Sequence, residues 1–322
     1  MLQRNVTNWI RFRHQGETGF GALTPSGIAV HDGYMFGATK PSGQILALGD
    51  VELLAPTEPT KIVALWNNFH ALAAKLQQPE PAEPLYLLKA TTSVTAPGAV
   101  IERPLSYDGK TTYEGELGIV IGKPCTNVSA DEADDFIFGY TCVNDVTAND
   151  ILNRDATFAQ WARAKGFDGY GPFGPVITSG IDPASLVVRT ILNGAERQNY
   201  PISDMIFSAQ ELVSKISHDM TLLPGDLIAC GISVGVGVMK EAASAEACRV
   251  NPIIRTGRPM CALARVTGDA FSALATPPAP ARWHRAMLMP MASHPWPLHV
   301  QFRVAARRNR RRDRLVPTRA HL

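Results

Sequence analysis

Residues 113–123 read YEGELGIVIGK. Glu114 and Glu116 stand two apart at the head of the apolar run 117–121. Side chains of an extended chain alternate between faces, so residues two apart share one. The apolar surroundings indicate a largely buried strand. Two like charges side by side repel unless a cation or a shared proton lies between them. Residues 139–151, GYTCVNDVTANDI, follow the same design: an apolar run, 140–143, ends in polar residues. Asp145 is placed there to supply a third carboxylate. Three carboxylate oxygens with water suit Mg²⁺ or Mn²⁺ rather than zinc or copper. The competing reading puts Glu114 and Glu116 on the solvated face of an edge strand, and spacing alone leaves both open.

Working outward, strands dominate. Short apolar or alternating runs at 9–12, 27–30 and 44–48, punctuated by Gly, Pro, Asp and Ser, describe a small β-rich module over residues 1–60. Further strands are read at 61–65, 86–88, 113–121, 140–144, 176–178, 186–192 and 227–230. Asn193-Gly194 reads as a hairpin turn. Helices are read at 70–77, closed by Pro79, Pro81 and Pro84, at 129–138 behind a Ser129 cap, and at 208–218. No regular βαβ alternation appears, so the expected class is β-rich α+β rather than a doubly wound sheet.

Composition narrows the classes further. The chain has 322 residues, 45% of them hydrophobic, and no apolar run of membrane-spanning length. The N-terminus lacks the apolar core of a secretory signal. Five cysteines, none spaced C-x-x-C, suit a reducing cytoplasm. The net charge of +2 hides an asymmetry: after Lys240 there are 14 arginines, four acidic residues and no lysine.

Taken in order, YEGELGIVIGK, GYTCVNDVTANDI, AKGFDGYGPFGP (164–175), SDMIF (203–207) and LLPGDLIACGISVGVGVMK (222–240) resemble the fumarylacetoacetate hydrolase family. The resemblance implies a distorted β-roll, a homodimer, and Mg²⁺ or Mn²⁺ on Glu114, Glu116 and Asp145. It implies Lys165 beside the metal and His70 on a lid. It implies enzymatic work on small oxo-acids or hydroxy-dienoates: isomerisation, decarboxylation or C–C hydrolysis, as in the catabolism of aromatic compounds. Asn149, Gly231, Ile232 and Ser233 then fall at substrate-contacting positions.

Three departures from the family pattern bear on activity. The lid glutamate of His-x-x-Glu is Ala73, which weakens the case for hydrolysis and favours isomerisation. Asn149 stands where the family has arginine, removing a bidentate partner for a carboxylate. Ile232 replaces a threonine. A relative that keeps the fold and metal site with impaired activity is the second reading. The metal-dependent domain is placed at 61–245. The Arg/Pro/Ala-rich segment 246–322 is read as translated from a shifted frame and disordered. Nucleic-acid binding by its arginines is set aside, since the rest of the chain shows no helix-turn-helix, zinc finger or aromatic RNA platform.

Overall fold

The computed structural model describes residues 5–192 and 195–235 in full. Residues 237–239, 248–255, 259–261, 264–266 and 303–305 are described as backbone strands. One large sheet carries the candidate site. Its strands lie in the order Thr39–Leu46, Gly27–Gly33, Glu17–Thr24, Thr7–His14, Val176–Ser179, Ile137–Asn144, Gly115–Ile121, Leu227–Ala229, Ile62–Trp66 and Leu85–Lys89. Neighbours are antiparallel except Leu227–Ala229 on Ile62–Trp66, which run parallel. Strands dominate and helices are few and short. This is the β-rich α+β architecture read from the sequence.

The N-terminal strands extend that same sheet. Thr7–Ile10 pairs with Val176–Ser179, and Ile10 packs with Val176, Phe12 and Ile28. The strand Glu17–Thr24 was not read from the sequence, because its two glycines weaken the apolar signal. At Gly21 the sheet requires glycine, because a Cβ there would meet the Ala29 carbonyl at 2.3 Å.

The central strand Gly115–Ile121 is buried along its whole length. One face of the sheet packs against the helix Ala209–Asp219, through Leu117, Ile119, Leu212, Val213 and Ile216. That helix starts with a capping box, in which Ser208 and Glu211 satisfy each other's backbone N–H groups. A second sheet pairs Val187–Leu192 with Ala195–Pro201 and, on its other side, with Cys248–Arg255.

Segment 129–138 is not the helix expected. It forms a 3₁₀ turn, Ala133–Asp135, and enters a strand at Ile137. Pairing with the buried strand Gly115–Ile121 outweighs the local helix signals. Asn193 and Gly194 lie outside the described residues, although the strands flanking them pair with Leu192 opposite Ala195. The reading of 246–322 as frame-shifted and disordered falls mainly on residues outside those described.

Candidate metal centre

Two neighbouring antiparallel strands deliver the carboxylates. Gly115 pairs with Asn144, so Glu114 and Asp145 sit just beyond adjacent strand ends. The Asp145 N–H donates to the Glu114 carbonyl at 2.8 Å, and the Glu114 N–H donates to Asn144 Oδ1 at 3.1 Å. Glu114 lies in the break between Thr111–Tyr113 and Gly115–Ile121, whereas Glu116 is within the strand. One carboxylate oxygen from each of Glu114, Glu116 and Asp145 comes within 4.8 Å of the others. The structure therefore joins the three residues read as ligands. Glu116 and Asp145 are buried, which disfavours a solvated edge-strand face.

Gly115, between the glutamates, is held from the second sheet. Its N–H donates to Gln198 Oε1 at 3.0 Å and its carbonyl accepts from the Tyr200 hydroxyl at 2.6 Å. Only glycine fits, because a Cβ would stand 2.1 Å from Thr190 Oγ1.

Two buried lysines complete the cluster. Lys165, at the end of the helix Trp161–Lys165, donates to Glu114 Oε2 at 2.7 Å, Asp145 Oδ2 at 2.5 Å and Thr147 Oγ1 at 2.7 Å. Lys89 was not singled out in the sequence. It ends the strand Leu85–Lys89 and donates to Asp145 Oδ1 at 2.5 Å and to the Lys165 carbonyl. The signal for it was available: a charged residue closing the apolar run LYLL. Thr147 and Gln198 were also missed, because the long-range pairings that recruit them leave no local pattern.

The charges perturb one another strongly. Burial, reinforced by Asp145, raises Glu116 well above the usual carboxylate range. Burial also raises Glu114, with Lys165 opposing. Burial alone would raise Asp145, but Lys165 and Lys89 hold it below its ordinary value. Burial disfavours charge on Lys165, yet Asp145, Glu114 and Glu116 raise it overall. Lys89 is lowered by burial, with Asp145 opposing. A buried, acid-rich, all-oxygen donor set of this kind fits a hard divalent cation.

The substrate-position residues divide. The Gly231 N–H donates to Glu116 Oε2 at 2.9 Å, so this loop touches the cluster directly. Ile232 is instead packed in the main apolar core with Phe69 and Phe207. Ser233 is buried and donates to Asp204 Oδ2 at 3.4 Å. Asn149 accepts from the Thr112 hydroxyl. The same Asp204 oxygen accepts from the Ala71 N–H at 3.2 Å, tying the start of the His70 helix to the Gly231 loop.

His70 opens the helix His70–Leu76 and is half exposed. Ala73 is buried, so the expected glutamate position faces the core. His70 nevertheless has a carboxylate partner: its Nδ1 lies 2.6 Å from Glu80 Oε1. The chain reverses through Gln77 at φ 53°, Gln78 N–H donates to the Ala73 carbonyl, and Asn67 Nδ2 holds the Pro79 carbonyl. Glu80 thus arrives from ten positions on.

Comparisons with known proteins identify the family. Residues 61–264 match the family model described as fumarylacetoacetate (FAA) hydrolase C-terminal, and residues 8–56 match one described as Rv2993c-like, N-terminal. Protein Rv2993c of Mycobacterium tuberculosis is 38% identical over 246 residues, covering 74% of this chain and 90% of that protein. Oxaloacetate tautomerase YisK of Bacillus subtilis is 38% identical over 211 residues, covering 62% of this chain and 69% of the tautomerase. A crystal structure of 2-hydroxyhepta-2,4-diene-1,7-dioate isomerase from Mycobacterium marinum superposes with a TM-score of 0.70 at 35% identity, covering 80% of this chain and 96% of that one. With over half of its length matched, the chain belongs to the fumarylacetoacetate hydrolase family.

Proposed function

We propose that this protein is a Mg²⁺- or Mn²⁺-dependent enzyme of small oxo-acids or hydroxy-dienoates, with isomerisation as its leading reaction. The observation that carries the reading is the convergence of Glu114, Glu116 and Asp145 on one point, with Lys165 bonded to two of them. A cation held by those carboxylates would supply Lewis-acid polarisation of a 2-oxo acid. Lys165 uses all three ammonium hydrogens on Glu114, Asp145 and Thr147, so it acts first as a fixed positive charge beside developing enolate charge. The names of the tautomerase and isomerase relatives support enol–keto chemistry.

The His70–Glu80 pair favours a second reading, hydrolysis of a C–C bond. Glu80 takes the Nδ1 side of the ring, leaving Nε2 to accept a proton from water. Ala73 cannot serve as the lid carboxylate, and Glu80 stands beside His70 in its place.

One experiment separates the two. Mg²⁺ and Mn²⁺ are titrated against oxaloacetate, hydroxy-dienoates and acylpyruvates, following both loss of enol absorbance and release of cleaved acid. Metal-dependent tautomerisation without cleavage supports the isomerase. Cleavage abolished by Glu80→Gln supports the hydrolase, and the absence of metal-dependent turnover of every substrate sinks both. We further place the enzyme as a cytoplasmic homodimer acting on dienoates from aromatic-ring breakdown. Light scattering on the purified protein tests the dimer. No helix among the described residues is long and apolar enough to cross a membrane.

A further inference from the structure

Lys89 is a second buried cation on a carboxylate that already has one. Lys165 occupies Asp145 Oδ2, and Lys89 occupies Oδ1. Its side chain has no exposure at all. The fold makes room for it, since a Cβ on Gly171 would stand 3.2 Å from Lys89 Cε and 2.9 Å from Ser93 Oγ. Burying an ammonium is costly, and pairing Asp145 needs only one cation. A second one calls for a separate reason.

Counting charge supplies it. In the ionised state that a bound cation requires, three carboxylates and two ammoniums together carry one net negative charge. A divalent cation reverses this to one net positive charge. Without Lys89 the loaded cluster would be neutral. We propose that Lys89 is a specificity-determining residue whose buried charge makes the metal-loaded centre require an anionic substrate group. It acts through its field and touches no substrate. The proposal rests on the metal-dependent reading above.

A purely structural prop for Asp145 and a charge-setting residue predict opposite things about the metal. Loss of a prop weakens cation binding. Loss of a like charge leaves cation binding unchanged or tightens it, while anion binding weakens. Two neutral variants separate charge from hydrogen bonding: Lys89→Met, and Lys89→Gln, which keeps a donor. Mn²⁺ is the metal probe, read by water-proton relaxation. Oxamate, a monoanion, and oxamide, its neutral analogue, are the ligand probes, read as changes in that relaxation. Thermal melts establish that each variant is folded, and Lys89→Gln carries the test if Lys89→Met is not.

The expected result is Mn²⁺ affinity equal to or above wild type, oxamate at least tenfold weaker, and oxamide unchanged in both variants. Mn²⁺ weakened in step with oxamate overturns the proposal. So does wild-type oxamate affinity in Lys89→Gln, or an equal loss for oxamide. If the wild-type protein binds no Mn²⁺, the metal-dependent reading itself falls and takes the role of Lys89 with it. That failure is seen before any variant is made.

Discussion

At the scale of single residues, Glu116 is the most informative. It is buried, and its raised pKa follows from burial first and Asp145 second. Without a cation, ionising it costs stability as pH rises from the ordinary glutamate value of about 4.3 through the raised one. Asp145 has the opposite sign: its lowered pKa contributes stability that is lost as pH falls. A cation must expel the proton from Glu116, so Mn²⁺ affinity should rise with pH until that raised value is passed. Titration calorimetry in two buffers of different protonation enthalpy should show proton release, and its absence would contradict the assignment. Glu116→Gln should lower Mn²⁺ affinity by at least the roughly 10–100-fold that loss of an outer-shell partner costs. At pH values high enough to ionise Glu116, the same variant should melt higher than wild type without metal, because one buried like charge is gone. A lower metal-free melting temperature would argue that Glu116 is paired in some other way.

At the scale of elements, the tightest constraint is the strand that begins at Gly115. Gly115→Ala forces a Cβ onto Thr190 Oγ1 and displaces the backbone between the two glutamates. Overpacking of this kind costs about 1–3 kcal/mol, and Mn²⁺ binding should fall with it. Urea unfolding together with metal titration checks both. The helix Ala209–Asp219 depends on Ser208, and Ser208→Ala should cost about 1 kcal/mol with the metal site unaffected. These two elements also show what was legible. The apolar run after Glu116 and the amphipathic stretch after Ser208 are local patterns, and a strand and a helix form there, with a break in the strand at Glu114. Segment 129–138 carries equally good helix signals at Ser129, Asp131 and Glu132, yet it becomes a turn and a strand. Its partner, Gly115–Ile121, is nearby in space but not in the local window. The carboxylate partner of His70 is expected three residues on because the family's His-x-x-Glu pattern puts it there. The reversal at Gln77 supplies it from Glu80 instead.

At the scale of the whole molecule, the N-terminal strands and the metal-bearing strands share one sheet. Deleting residues 1–55 would leave Val176–Ser179 without its partner Thr7–Ile10 and would uncover Val176. An unpaired edge with apolar neighbours invites association, so the truncated protein should aggregate, as measured by light scattering. A well-behaved monodisperse truncation would mean the leading strands are dispensable. The sequence by itself determined the β-rich class, the family resemblance and the three carboxylates, because these rest on alternation and on motifs a few residues long. Only the tertiary structure decided that Lys89 shares Asp145 with Lys165, that Gln198 and Tyr200 hold Gly115, and that Ile232 belongs to the core. Contacts between residues tens of positions apart are set by sheet register and burial. That information becomes available only when the strands have found their neighbours, and it is why the metal cradle could be read early while the charge around it could not.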